Sequence, residues 1–428
     1  MPTTRRCRPL LPLVLLLALA IAGEAVASPR AGGGPEGGSP AGSLAGGPPA
    51  LVARSAVLLE AATGTALYEY HADDPIAPAS LTKLMTIHLV LREIEEGRLE
   101  PSEVLVPGPD AWAKNMPPRS SVMFLGPNQR LTVEQLLKGL VVDSGNDAAV
   151  EVAERIAGSV PAFVTMMNRE AVRMGYRTMR FVEPAGISAS NTITAREYAD
   201  FARRFILLHP DSLRELFSLR EFTYPLAENL TGGNREKPVT QANRNILLGR
   251  YVGVDGLKTG YIDEAGYNIA VTAERAGMRL ICVILGVPDS GGVSGATLRA
   301  AESARLLDYG YDTFTIVRPS YDEPVPPRVW KGSARNVSVS ASPAPSVVVR
   351  KEDAPAVRTV VLESLDVEAP VTTGKALGVV VVSLGDREIA RFPLRATTDV
   401  RRGGVLRRAL DSIVLFFRGI TPVRGEGG

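Results

Sequence analysis

The sequence predicts an α+β protein in three parts. A five-stranded sheet flanked by helices comes first, then a small all-β domain, then a C-terminal amphipathic helix. Three observations carry this. Strand-forming runs stand at Ser55–Tyr70 and again, three in succession, at Val254–Val287, with helical periodicity between them. From about Val329 to Val400 the pattern changes to short alternating strands with glycine turns. After residue 400, apolar side chains recur at helical spacing.

Taken in order, residues 1–27 read as a secretory signal: Arg5, Arg6 and Arg8, an apolar run from Leu10 to Ile21, and the small-residue cleavage site Ala25-Val26-Ala27. The run is short for a bilayer-spanning anchor. Residues 28–50 hold Gly, Pro, Ser and Ala with almost no large apolar side chain, the composition of a flexible tether. A first domain is expected over 51–318. It opens with a hairpin around Thr63-Gly64, followed by a helix from Ser80, after the breaker Pro78, to a stop at Gly97. Residues 98–131 are irregular, either wrapping the rim of a site or only connecting. Thr132-Val133-Glu134-Gln135 and Thr194-Ala195-Arg196-Glu197 are capping boxes opening helices. Between them, Ser144-Gly145-Asn146 interrupts the helical pattern, which resumes at Asp147. Another helix spans Pro161 to Met174, before Gly175. Strands Val254–Tyr261, Tyr267–Glu274 and Arg279–Val287 and an amphipathic helix over Thr297–Leu307 complete the domain.

Pro319 to Pro327 marks a boundary, and 319–400 is the all-β domain. In the tail, 401–428, Leu406, Leu410, Ile413, Phe417 and Ile420 share one face, widened by Val405, Val414 and Phe416. Arg407, Arg408, Asp411 and Arg418 lie opposite, with Leu415 out of place among them. A basic amphipathic helix suits an anionic membrane surface; docking on the β-domain is the alternative.

Net charge is +2, concentrated in the first 27 residues and after residue 400, where six arginines face Asp411 and Glu426. The mildly acidic body argues against a nucleic-acid partner. Three scattered histidines and two cysteines offer no metal-ligand spacing, and no phosphate- or dinucleotide-binding loop appears, so neither a metal nor a cofactor is expected. Cys282 sits in an apolar strand and reads as core.

Ser80 and Lys83 are three residues apart, which stacks them on one helix face, about 5–6 Å between Cβ atoms. A serine hydroxyl becomes nucleophilic when a base takes its proton, and a lysine with a lowered pKa serves as that base. By itself the spacing is common, and an exposed pair is the ordinary reading. Ser144-Gly145-Asn146 and Lys258-Thr259-Gly260 follow in the chain, and the three motifs together are those of penicillin-binding proteins and class A β-lactamases. With Ala77-Pro78-Ala79-Ser80, Asn243-Arg244-Asn245, Asp255-Gly256-Leu257-Lys258-Thr259-Gly260 and Ala265-Gly266-Tyr267, the chain resembles the serine-type D-Ala-D-Ala carboxypeptidases over roughly residues 51–400.

That resemblance implies the β-lactamase/transpeptidase-like fold and a catalytic set. Ser80 would be the nucleophile, Lys83 its base, and Ser144 a proton relay to the leaving amine. Asn146 would bind the substrate backbone, and Lys258 and Thr259 its terminal carboxylate. Gly260 would let substrate lie against the strand, and the backbone N–H groups of Ser80 and Tyr261 would form the oxyanion hole. The partners implied are a peptidoglycan stem peptide and β-lactam antibiotics, and the chain would be exported and peripherally attached to the cytoplasmic membrane. A β-lactamase, with Glu183 as deacylating base, a cross-link endopeptidase and a non-catalytic wall-binding scaffold are the alternatives. One departure stands out: Ser190-Asn191 occupies a stretch where the family often has histidine.

Overall fold

The computed structural model describes residues 47–418 except Leu365; the signal at 1–27, most of the tether and the last ten residues lie outside the described residues. Five strands form one antiparallel sheet: β1 (Ser55–Glu60), β2 (Ala66–Tyr70), β3 (Val254–Ile262), β4 (Gly266–Arg275) and β5 (Met278–Val287), in the order β2–β1–β5–β4–β3. The early hairpin thus adds to the late one through β1 and β5, with Ser55 opposite Leu285 and Glu60 opposite Leu280. The strand β3, which carries Lys258-Thr259-Gly260, is an open edge.

Alternation along the strands builds a core on each side of the sheet. Val57, Leu59, Ile281, Val283 and Leu285 point toward the helices α1 (Lys83–Glu95), α2 (Val133–Lys138), α3 (Asn146–Ala157), α4 (Val160–Arg173) and α5 (Ala195–Leu208). Ala56, Leu58, Leu280, Cys282 and Ile284 point toward α6 (Gly295–Thr313), longer than the spacing predicts. Cys282 is buried and unpaired, and burial pushes its thiol up to about 12, as expected of a core residue.

Two local expectations need correction. Ser80 does not begin an α-helix; it sits in a 3-10 turn, Ala79–Thr82, and regular helix starts at Lys83. Ala79 takes a left-handed φ of 50°, which an α-helical start would not permit. The Thr194 capping box is half formed: Thr194 accepts from the Glu197 N–H, but the Glu197 carboxylate accepts instead from the Arg177, Thr178 and Met179 backbone N–H groups. The Thr132 box is complete.

An ionic cluster around the buried Glu170 ties α1 to α4. Glu170 accepts from His88 Nε2 (2.9 Å), Arg92 Nη1 (2.8 Å) and Arg173 Nη2 (2.6 Å). Burial opposes its charge, but these donors prevail and hold the carboxyl well below its ordinary range. Its contribution is therefore full above the ordinary carboxylate pKa of about 4.3 and is lost as pH falls below it. Glu170→Ala strands the buried His88 imidazole, while Arg173 turns to water and Arg92 keeps Glu96, so unfolding free energy is expected to fall by about 1–3 kcal/mol. A shift of the denaturant midpoint worth less than about 1 kcal/mol would show that the cluster contributes little.

Beyond α6, Phe314–Val317 pairs with Val347–Arg350, and a four-stranded sheet runs Val339–Ala341, Arg387–Ala396, Ala376–Leu384, Val357–Glu363. The sequence pattern missed a parallel pair, Arg328–Trp330 with Asp366–Glu368, each only three residues long. Val329, Val337, Val367, Leu377 and Val400 fill this core. The last described helix, α7 (Val405–Arg418), lies on this part of the chain: Asp411 Oδ2 accepts from the Lys331 backbone N–H at 2.6 Å, Arg407 donates to the Ala334 carbonyl at 3.0 Å, and Leu415 is buried. Leu415 is out of place for the exposed apolar face because it belongs to this docked side. Leu406, Phe416 and Phe417 on the other side are 76%, 82% and 81% exposed. No helix among the described residues is long and apolar enough to cross a membrane.

Candidate active site

The turn carrying Ser80 is held from four directions. Asn268 Nδ2 donates to the Ala77 carbonyl (2.9 Å) and the Tyr198 hydroxyl to the Leu81 carbonyl (2.9 Å). Asn191 Nδ2 donates to Thr82 Oγ1 (3.1 Å). On the fourth side is Gly260: a Cβ there would lie 2.9 Å from both the Pro78 carbonyl oxygen and the Ser80 nitrogen. Besides the substrate clearance expected of it, the glycine is required because the nucleophile turn packs against the strand.

Lys83 Nζ is fully buried and lies 3.0 Å from Ser80 Oγ, 2.7 Å from Asn146 Oδ1 and 2.6 Å from the Ala185 carbonyl oxygen. The last two atoms only accept. A neutral lysine has two N–H groups and one lone pair. As an ammonium, Lys83 donates to all three oxygens; as a free amine it commits its two donors to Asn146 and Ala185 and turns its lone pair to the Ser80 hydroxyl. Burial lowers the Lys83 pKa to about 7; Glu183 and Asp147 oppose the shift and Arg244 adds to it. The lowered pKa makes the free amine accessible near neutral pH, and its position then lets it accept the serine proton.

Ser144 follows a π-helical turn, Gly139–Asp143, and is left-handed (φ 58°), which ends the helix and turns the hydroxyl inward. Lys258 Nζ donates to Ser144 Oγ (2.9 Å) and to the Thr259 carbonyl (3.1 Å). Burial, then Lys83, Arg244 and Arg299, push the Lys258 pKa far down. Asn146 Oδ1 is taken by Lys83, which leaves its NH2 end as the available donor. Thr259 is buried beside Lys258, whereas Tyr261 is half exposed, with its ring against Tyr267 and its hydroxyl on Asp263 (2.7 Å). The structure thus brings Ser80, Lys83 and Asn146 together, and pairs Ser144 with Lys258.

The irregular stretch 98–131 does wrap the site. The Asn146 N–H donates to the Ser121 carbonyl (2.8 Å), and Asp147 accepts from the backbone N–H groups of Met123 and Leu125. Beneath Ser144, Asp143 is 1% exposed and one carboxylate oxygen has no hydrogen-bond partner among the described residues. Burial, with Asp147 adding, pushes its pKa up to about 8.

Several contributors were invisible in the sequence. Arg299, buried on α6, donates to the carbonyls of Gly260 (2.8 Å) and Asn268 (3.0 Å), fixing the edge strand. Gly186 (φ +83°) lets the loop after α4 approach Ala79, which sets the Ala185 carbonyl on Lys83. Glu183 is not aimed at the nucleophile. Its carboxylate accepts from the Ala185 (2.7 Å) and Gly186 (2.8 Å) N–H groups and from Asn191 Nδ2 (2.8 Å), so it braces the loop instead of activating water. The Ser190-Asn191 departure places a carboxamide in that brace.

A serine with a buried lysine base and a second Ser–Lys pair, at the edge of a five-stranded antiparallel sheet between helices, defines a serine acyl-transferring hydrolase. The D-alanyl-D-alanine carboxypeptidase family (Peptidase_S11) matches residues 43–289, and the Penicillin-binding protein 5 C-terminal domain family matches residues 311–402. D-alanyl-D-alanine carboxypeptidase DacA of Haemophilus influenzae is 32% identical over 379 residues, 87% of this chain and 91% of that protein. DacC of Escherichia coli is 32% identical over 376 residues, 86% and 89% of the two. Penicillin-binding protein 5 from Haemophilus influenzae superposes with a TM-score of 0.73 at 31% identity, covering 83% of this chain and 99% of that one. The chain belongs to the D-alanyl-D-alanine carboxypeptidase family of serine hydrolases, the low-molecular-mass penicillin-binding proteins.

Proposed function

We propose that the chain removes the terminal D-alanine from peptidoglycan stem peptides through an acyl-enzyme on Ser80. The observation that carries this is the fully buried Lys83 Nζ, 3.0 Å from Ser80 Oγ, 2.7 Å from Asn146 Oδ1 and 2.6 Å from the Ala185 carbonyl oxygen. Ser80 Oγ attacks the carbonyl of the last peptide bond while its proton passes to Lys83. The oxyanion falls between the backbone N–H groups of Ser80 and Tyr261; each such donor is worth about 3–4 kcal/mol of transition-state stabilisation. Collapse breaks the C–N bond. Ser144, whose oxygen is already held by Lys258, hands its proton to the departing amine and is reprotonated by the proton that Lys83 took from Ser80. Lys83 thus returns to the free amine, and D-alanine leaves. Water then attacks the ester carbonyl as Lys83 takes its proton; the C–O bond to Ser80 breaks, and Lys83 returns that proton to Ser80 Oγ, regenerating the serine. Lys258 and Thr259 hold the free carboxylate, the charge that makes the reaction an exopeptidase one.

Because the base must be unprotonated, the acylation rate should rise with pH through about 7, the lowered pKa of Lys83. A rate flat between about pH 6 and about pH 8 would contradict Lys83 as the base. The reaction is tested by D-alanine release from a diacyl-Lys-D-Ala-D-Ala peptide: release is expected, and none with Ser80→Ala. Covalent β-lactam capture is supported by the likeness to Listeria monocytogenes penicillin-binding protein D2, solved in its ampicillin-bound form and 28% identical (TM-score 0.51) over 61% of this chain. The engaged Glu183 weighs against rapid β-lactam turnover.

The chain acts outside the cytoplasm, attached peripherally to the cytoplasmic membrane. The exposed apolar face of α7, docked by its polar side, supports attachment to an anionic surface.

A further inference from the structure

Beside the docked side of α7 there is a cavity of about 410 Å³ between the helix and the β-domain, lined by Lys331, Glu368, Arg402, Val405, Arg408 and Ser412 among others. It has room for a group several times larger than a water molecule, whose share of the liquid is about 30 Å³. Three of these side chains are cationic and one is anionic. The anion is already matched: Lys331 Nζ lies 2.9 Å from Glu368 Oε1. The guanidinium groups of Arg402 and Arg408 have no ion-pair or hydrogen-bond partner among the described residues, so the cavity retains two unmatched planar cations.

Its place on the helix matters as much as its charge. At 100° per residue, Asp411 and Leu415 mark the docked side of α7, and Leu406, Leu410, Ile413 and Phe417 the outward apolar side. Arg408 and Ser412 fall on the flank between Leu415 and the outward residues Val405 and Phe416. Val405, 80% exposed, belongs to both the apolar face and the cavity wall. An interfacial helix sinks its apolar face about 5–10 Å into the headgroup and acyl boundary, which leaves its flanks among the headgroups. Arg408 on that flank and Arg402 from the segment before the helix, both lining the cavity, offer two guanidinium forks for the oxygens of a phosphate, which arginine binds in bidentate fashion.

We propose that this cavity seats the phosphate of an anionic lipid headgroup, with Arg402 and Arg408 as its donors and Lys331 at its back. The inference rests on the membrane-surface reading of α7 and adds to it a built site shared with the β-domain. The source is a lipid and not free phosphate because the cavity wall runs into the apolar face that the bilayer would cover.

The test is cosedimentation of the exported chain, residue 28 onward, with phosphatidylcholine vesicles, with and without a third of phosphatidylglycerol. The cavity pair Arg402→Gln/Arg408→Gln is compared with Arg401→Gln/Arg418→Gln, which removes the same charge outside the cavity. Unchanged thermal midpoints establish that both fold. The cavity pair is expected to lose at least about tenfold more affinity for phosphatidylglycerol vesicles than its control, beyond the loss that each surface arginine contributes by attraction alone. Equal losses in the two pairs would reduce the effect to diffuse attraction and overturn the site. Release of the protein from the vesicles by millimolar inorganic phosphate, at constant ionic strength, would overturn the lipid source. Leu410→Asp/Phe417→Asp tests the underlying reading separately: if that variant still binds vesicles like the parent, attachment through α7 is wrong, whatever the cavity does.

Discussion

Lys83→Met is expected to lower the rate of Ser80 acylation by about 10²–10⁴-fold, the usual contribution of a positioned general base. Methionine keeps most of the volume of the buried lysine chain, so the surrounding packing stays filled. What disappears is the nitrogen 3.0 Å from the Ser80 oxygen, the atom proposed to take its proton. The carbonyl oxygens of Asn146 and Ala185 each lose a donor, and together these cost about 1–3 kcal/mol of stability. The two effects separate cleanly. Melting reports the lost hydrogen bonds, and single-turnover acylation by a β-lactam reports the lost base. A variant that is acylated within about tenfold of the parent would mean another group removes the serine proton.

Gly186→Ala is expected to reduce kcat/KM by about 10²-fold, although residue 186 touches no reacting atom. An added Cβ would stand 1.8 Å from the Ala79 carbonyl oxygen and 2.8 Å from the Ser80 nitrogen. Both are backbone atoms, with no flexible side chain to swing aside. Relief requires the loop to retreat, which draws the Ala185 carbonyl off Lys83, or the nucleophile turn to shift, which moves Ser80. Either displacement is of the size that misaligns an attack. Gly175→Ala is the matched control: its φ is +89°, but nothing lies within 4 Å of the added atom. It should cost about 1–2 kcal/mol of backbone strain and leave catalysis unchanged. Equal kinetic losses at the two positions would trace the effect to strain and not to collision.

The contrast between these positions shows what the sequence could reveal. Ser80, Lys83, Ser144, Asn146, Lys258 and Thr259 were legible because short spacings and their order in the chain carry them. The sheet was legible because period-two burial on both faces leaves runs such as Leu280–Val287 almost wholly apolar. The Gly186 contact, the Ala185 carbonyl and the buried Arg299 were not, since each depends on a partner far away in the chain. Gly260 was singled out for substrate clearance; that the nucleophile turn also packs against it was not legible. The 3-10 start at Ser80 hid behind helical periodicity, because the left-handed Ala79 is imposed by the surrounding packing and alanine has no preference for it. Glu197 has the spacing of a capping box, and only the folded chain reveals the three backbone donors that claim its carboxylate. Leu415 looked misplaced until the docked side of α7 was known.

The most direct measurement is the intact mass of the protein after incubation with penicillin, followed by mapping of the modified peptide. One adduct per chain, carried by Ser80 and absent from Ser80→Ala, is the predicted result. An adduct on another residue, or an unmodified wild-type chain, would contradict the convergence of these segments on a single acylated serine.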